Sequence, residues 1–148
     1  MNPFRNAASF GKRQEYIAVA ELLRRSHDVY MTLVDDQQID CVIRQEKDGV
    51  PRYLDIQIKA RSNDAKNPAT FAAMAVRKPR EDFYFIFYSE RANTYWIVPS
   101  LELVKEANQG KSGSNKGKYR IVFVNKVKVG FRPRPRFKKY ENAFALLD

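Results

Sequence analysis

Cysteine and histidine are almost absent: one of each occurs in 148 residues. Cys41 therefore has no partner for an internal disulfide, and with His27 as the only imidazole there is no Cys/His cluster of the kind that holds zinc. Near Ile39 and Val42, Cys41 reads as a small buried residue, whereas His27, in Arg24-Arg25-Ser26-His27-Asp28, reads as exposed or capping at a helix end. Long apolar runs are missing as well. None approaches the ~20 residues of a membrane span, and Met1-Asn2-Pro3-Phe4-Arg5 lacks the apolar stretch of a secretory signal. A cytoplasmic protein with no membrane partner is expected. A phosphate-binding P-loop is excluded too: Gly-Lys-Ser occurs in the segment Gly110 to Gly117, but the first glycine of the required spacing is absent and the segment follows a helix. What remains is a flexible loop able to touch phosphate.

Acid is missing from one region only. Residues 1–60 hold 9 basic and 9 acidic side chains and 61–110 hold 7 and 6, but 111–140 hold 11 basic and none acidic. That stretch carries the whole net charge of +10. Its Tyr119, Phe123, Phe131, Phe137 and Tyr140 alternate with the cations, a mixture that suits a polyphosphate backbone with sugars or bases on which aromatic rings can pack. DNA is the expected partner, with Lys111, Lys116, Lys118, Arg132, Arg134, Arg136, Lys138 and Lys139 as candidate contacts. A solvated basic tail and an anionic membrane surface are the competing readings. Tyr119 to Val124 reads as a strand that would hold its charges in register, which favours nucleic acid.

With 44% hydrophobic residues the chain can bury one substantial core and is too short for two ordinary domains, so a single domain over 1–148 is expected. From about Ala8 to Arg25 the pattern is helical: Ala18, Val19, Leu22 and Leu23 fall within roughly a quarter turn of Glu15, with Arg13, Gln14, Glu21 and Arg24 opposite. Val29 to Val34 and Ile39 to Arg44 read as strands, Glu46-Lys47-Asp48-Gly49 as a hairpin turn, and Tyr53 to Ala60 as the returning strand. A helix is predicted over Thr70 to Arg77 with Phe71, Met74 and Ala75 inward, then strands over Phe83 to Tyr88 and Tyr95 to Val98 whose aromatics belong to the core. Ser100 is expected to cap a short helix from Leu101 to Ala107, and a terminal helix is expected near Tyr140 to Leu147. Arg132-Pro133-Arg134-Pro135-Arg136 before it should be extended.

The chemistry concentrates in Asp55-Ile56-Gln57-Ile58-Lys59. In an extended segment Asp55, Gln57 and Lys59 share one face, and Leu54, Ile56 and Ile58 share the other. Alone, this reads better as a half-exposed strand with polar outer residues. Asp40 upstream and Glu15 on the helix change the balance, because a lysine beside carboxyl and amide oxygens is what a divalent cation and a scissile phosphate require. Glu15 in an apolar stripe needs a partner, for which an ion pair to Lys59 is the structural alternative. Asp35 and Asp36 rival Asp40, which is preferred because Cys41-Val42-Ile43 anchors it.

The order is thus helix with Glu15, strand, strand with Asp40, strand with Gln57 and Lys59, helix, strand, strand. Over roughly residues 8–100 this resembles the PD-(D/E)XK nuclease superfamily, and Gln57 in place of the usual acid resembles a subset that includes an intron-encoded homing endonuclease. The resemblance implies an α/β, restriction-endonuclease-like core, a central mixed sheet flanked by helices, followed by a basic C-terminal extension over about 111–140. It further implies a Mg2+-dependent DNA endonuclease, with Mn2+ able to substitute. Asp40 would be the principal metal ligand, Gln57 would offer its side-chain carbonyl, and the Ile58 backbone carbonyl would complete the protein ligands. Lys59 would orient or deprotonate the attacking water and stabilise the developing charge. Glu15 would hold a metal-bound water or position Lys59. An amide at Gln57 removes one negative charge, so metal affinity should fall unless Asp55 or Glu15 compensates. Cutting both strands would call for a homodimer or homotetramer. The competing functions are a catalytically silent nuclease fold that binds nucleic acid, and an unrelated basic RNA-binding protein in which Glu15, Asp40 and Lys59 form only a buried ion-pair network.

Overall fold

The structure, a computed structural model, describes residues 6–34 and 37–148; Asp35 and Asp36 lie outside the described residues. Helix α1 spans Ala7–Arg24 and starts where the Asn6 side chain accepts a hydrogen bond from the Ser9 N–H at 2.8 Å. It ends at Ser26, which takes a left-handed φ of 67° while Arg24 and Arg25 both pair with Glu21 near the helix C-terminus. Its buried residues are Phe10, Gln14, Ala18, Val19 and Leu22. The inward stripe is therefore rotated from the expected one. Gln14 is buried, Leu23 is exposed, and Glu15 sits half-buried at the margin.

Strands β1 (Asp28–Met31), β2 (Cys41–Lys47) and β3 (Val50–Arg61) form an antiparallel meander. β1 stops short of the expected Val34, because the Thr32 N–H and hydroxyl turn to the carbonyls of Ile39 and Asp40. The β2–β3 turn places Asp48 and Gly49 both at positive φ, 54° and 77°, the twist that joins tightly paired strands and that Asp-Gly tolerates. β5 (Phe83–Ser89) runs parallel to β3, and β6 (Thr94–Pro99) returns antiparallel to β5, giving the sheet order β1-β2-β3-β5-β6.

β4 (Thr70–Met74) occupies the place of the expected Thr70 to Arg77 helix. It leaves the main sheet and pairs with β8 (Tyr119–Val122), which pairs in turn with β7 (Asn108–Gln109). The misleading signal is a bulge: the register slips between Phe71 and Met74, where Ala73 takes φ 54°, so two inward residues of a strand lie three apart as they would in a helix. Helix α2 (Ser100–Glu106) follows β6 directly. Ser100 does not cap it, since its hydroxyl accepts from the Arg80 N–H and donates to the Arg80 carbonyl. β9 (Val124–Lys126) and β10 (Phe131–Pro133) form a separate two-stranded ribbon, and the expected terminal helix is replaced by 3-10 turns at Pro135–Tyr140 and Phe144–Leu147.

The two faces of the main sheet are covered differently. Under α1, Ala18, Val19 and Leu22 meet Cys41, Ile43, Leu54, Ile56, Ile58, Ile86 and Ile97. On the other face Phe83, Phe85, Phe87 and Trp96 meet Phe71 of β4 and Ile121, Phe123, Phe137 and Tyr140 of the C-terminal part. Trp96 stacks on Phe123 with ring centroids 4.7 Å apart. The basic region is thus no extension: its apolar residues close the aromatic half of the core, and the second sheet covers a face for which helices were expected.

Candidate active site

The strand register decides which polar residues meet. Cys41 stands opposite Ile56 where β2 and β3 begin to pair, and the Asp40 N–H donates to the Ile56 carbonyl at 2.8 Å. One step further, β2 has ended and the Asp40 side chain takes over the position of a ladder carbonyl. Its Oδ2 accepts from the Ile58 N–H at 2.6 Å and from the Gln57 Nε2 at 2.7 Å. Both side chains are only 4% exposed. A carboxylate can be held there because it receives charge-assisted hydrogen bonds that replace its water. Thr32 fixes the backbone from the other side through its hydroxyl, 2.7 Å from the Ile39 carbonyl. Asp40 is therefore held by β1, β2 and β3 together, and the buried Cys41 and Ile43 hold the strand behind it.

This hydrogen bond also orients Gln57. A carboxylate only accepts, so the amide nitrogen must face Asp40 and the Oε1 must face away. Lys59 lies two residues on, on the same face of β3, opposite Phe87 of β5 as Gln57 is opposite Phe85. It is half-buried, and it makes no ion pair or hydrogen bond with any described residue. The structure thus brings Asp40 and Gln57 into direct contact and puts Lys59 on their face.

Glu15 approaches from α1. It pairs with Lys12 at 2.8 Å and not with Lys59. The Lys12 ammonium is pushed up by its hydrogen bond to Glu15, by the Glu15 charge and, more weakly, by Asp40. Cys41 is pushed up to about 12, first by burial and then by the charges of Asp40 and Glu15. Both acids thus act on the same two neighbours, one from each side of the sheet edge. Asp55, the fourth polar residue of the β3 row, is engaged elsewhere: Arg80 reaches it at 2.5 Å while lying over the Phe83 ring. It cannot supply the charge that Gln57 lacks.

Among the described residues no three His, Cys, Asp or Glu side chains gather as a metal cluster. The local donors are nonetheless hard oxygens: Asp40, the Gln57 amide carbonyl, the Glu15 carboxylate and the Ile58 carbonyl. In an extended strand a residue's N–H and C=O point to one edge, and the Ile58 N–H points at Asp40. The Lys12–Glu15 ion pair is the contact that sequence reasoning did not anticipate, and its spacing of one helical turn was the available signal. The buried Gln14 Oε1 has no hydrogen-bond partner among the described residues.

The basic candidates divide into two groups. Lys111, Lys116, Lys118, Arg132 and Lys138 are exposed. Arg134 donates to Asn125 at 2.7 Å, Arg136 pairs with Glu106, and Lys139 lies 3.5 Å from Glu102, which also accepts from the Tyr140 hydroxyl. The Gly110 to Gly117 segment is closed by Gly110 N–H to Lys118 and Gly117 N–H to Gly110 hydrogen bonds, both 2.9 Å. A side chain at Gly110 would meet the Asn115 carbonyl oxygen at 2.2 Å, so the turn requires glycine.

No protein-family model and no curated protein matches the chain. Among solved structures it matches that of a bacterial homing endonuclease, I-Ssp6803I, with a TM-score of 0.63 and 19% identity over 96% of this chain and 91% of the other. At that identity the likeness carries the fold. The protein has the restriction-endonuclease-like fold of a bacterial homing endonuclease, the architecture implied by the order of Glu15, Asp40, Gln57 and Lys59 along the chain.

Proposed function

We propose that the protein is a divalent-metal-dependent DNA endonuclease that hydrolyses phosphodiester bonds. The observation that carries this reading is the buried Asp40–Gln57 hydrogen bond at the point where β2 leaves β3, with Lys59 on the same face and paired with no described residue. The oxygen-only donor set suits Mg2+ or Mn2+. Asp40, Gln57, Ile58 and Glu15 would hold the metal, which when bound would supply Lewis-acid polarisation of the phosphate. Lys59 supplies a fixed cation for the charge that develops on the phosphate, in a position where no acid among the described residues pairs with it. Glu15, paired with Lys12 at 2.8 Å, orients that ammonium at the rim of the site. Asp40 is positioned before substrate arrives, held by the Ile58 N–H and the Gln57 amide, and Gln57 would turn its amide over to offer Oε1 to a metal beside Asp40. The exposed cations of 111–140 would bind the DNA backbone, and a symmetric dimer or tetramer would bring two such sites to the two strands.

The test is cleavage of supercoiled plasmid and of single-stranded RNA with Mg2+ or EDTA, by the protein and by Lys59→Ala. Metal-dependent nicking of plasmid that Lys59→Ala loses supports the proposal. Cleavage that survives Lys59→Ala, or binding confined to RNA, overturns it. The scarcity of acidic ligands among the described residues favours one second reading, a fold of the same kind that binds DNA without cutting it. Binding of duplex DNA with no cleavage in Mg2+ or Mn2+ would select that reading.

A further inference from the structure

The β9–β10 ribbon projects from the aromatic half of the core and ends in a tip that the site described above does not use. Val124 at its root is buried, and Phe131 is half-buried under the Arg91 guanidinium, 5.3 Å from its ring centroid. Lys128 and Val129 form the tip, closed by the Val127 N–H to Gly130 carbonyl bond of 3.1 Å, and Gly130 follows at φ 81°. Val129 is 91% exposed. Turn tips favour Gly, Asn, Asp and Ser, and a β-branched apolar residue gains nothing there in the free protein. The ribbon itself carries no acid, since no Asp or Glu occurs between Glu106 and Glu141, and Glu141 lies at its base beside Phe131 and Pro133.

The ribbon's register distributes those cations. Arg132 stands opposite Asn125 and Phe131 opposite Lys126, so Arg132 and Lys126 project from opposite faces of the ribbon. A groove of duplex DNA has a phosphate wall on each side. A two-stranded ribbon about 10 Å thick with side chains matches the major groove, about 12 Å wide, and exceeds the minor groove of about 6 Å. Placed tip first, it would offer Lys126 to one wall, Arg132 to the other and Val129 to the floor, where the apolar group available is the thymine methyl.

The location connects the ribbon to the candidate site. Arg61, at the end of the strand that carries Lys59, pairs with Ser89, and its carbonyl accepts from the Glu90 N–H at 3.0 Å. Arg91, the next residue of that turn, covers Phe131 at the ribbon's base. The ribbon therefore emerges from the end of the sheet toward which Lys59 leads.

We infer that the β9–β10 ribbon is a major-groove probe in which Lys126 and Arg132 contact the two phosphate walls and Val129 reads thymine through its methyl group. The inference rests on the DNA reading proposed above and assigns a base-reading residue to it. It is tested by fluorescence anisotropy in EDTA, so that no cleavage is needed, with an alternating dA·dT duplex and the same duplex carrying deoxyuridine for thymidine. The protein should bind the thymine duplex roughly fourfold more tightly, the worth of one methyl group removed from water. Val129→Ser should bind both duplexes alike, with an unchanged salt dependence. Lys126→Ala and Arg132→Ala should each weaken both duplexes equally and lower the salt slope by ~0.9 log unit. A thymine preference absent from the protein, or retained in Val129→Ser, overturns the probe while leaving DNA binding in place. Binding to neither duplex overturns the DNA reading itself.

Discussion

The two faces of the main sheet have different covers and different costs. The aliphatic face is covered by α1, which the chain supplies just before the strands it packs on. The aromatic face is covered by β4, β8 and the 3-10 turn at Pro135–Tyr140, drawn from as far as the end of the chain. The proposed site lies at the seam. Gln57 and Lys59 continue the aromatic row along β3, in register with Phe85 and Phe87, while Glu15 comes from the aliphatic side. The same C-terminal segment therefore closes a core with its aromatic residues and presents cations to solvent with the rest. Folding and the proposed DNA binding share that segment but would use alternate side chains.

The largest effect should come from breaking the aromatic cover. Phe123→Ala removes the ring that stacks on Trp96 and packs on Phe71, Phe87 and Phe137, and should cost about 3–5 kcal/mol, measured by urea denaturation. A loss below about 1 kcal/mol would make the basic region an appendage after all. Lys59→Ala tests the other end of the same row, where the side chain pairs with no described residue. Cleavage should fall on the order of 10²–10³-fold with an unchanged thermal midpoint. A stability loss matching the loss of activity would assign Lys59 to packing.

Gln57→Glu sharpens the seam itself. The present amide donates to Asp40; a carboxylate there would face another carboxylate, and the introduced carboxyl would be raised. With a folded value raised above the ordinary Glu value of about 4.3, the variant should match the parent below that pH and lose stability as pH rises above it. In EDTA at neutral pH the deficit should be about 1–3 kcal/mol, and excess Mg2+ should recover it if the site binds metal. An equal deficit with and without Mg2+ would argue against a metal there.

Cys41 reports on the aliphatic side. Its folded value of about 12 exceeds the ordinary 9.0, because burial and the nearby Asp40 and Glu15 charges disfavour the thiolate. The protonated thiol's contribution is fully present below pH 9.0 and is lost as pH rises toward about 12. The thermal midpoint of the parent should fall more steeply than that of Cys41→Ala above pH 9.0, the comparison isolating the thiol from the tyrosines. Native Cys41 should resist alkylation at neutral pH. The smallest effect separates cations with no described partner from paired ones: replacing Lys126 and Arg132 by alanine should flatten the salt dependence of DNA binding by ~1.8 log units. Replacing Arg136 and Lys139, which already face Glu106 and Glu102, should flatten it less. Equal slopes would show that those pairs open on DNA.

The sequence by itself determined the parts whose signals are local. Alternation along β3 put Gln57 and Lys59 on one face, the Asp-Gly turn returned that strand beside β2, and the charge count located the cations, because strand period, turn chemistry and charge are properties of neighbouring residues. The tertiary structure decided the rest. It chose Lys12 and not Lys59 as the partner of Glu15, committed Asp55 to Arg80, and rotated α1 so that Gln14 is buried. It also turned the spacing of Phe71 and Met74 from an apparent helix into a bulged strand, because β8, some fifty residues later, offered pairing groups that a helix would have satisfied internally. No window of neighbouring residues contains that partner, and so no local pattern could announce it.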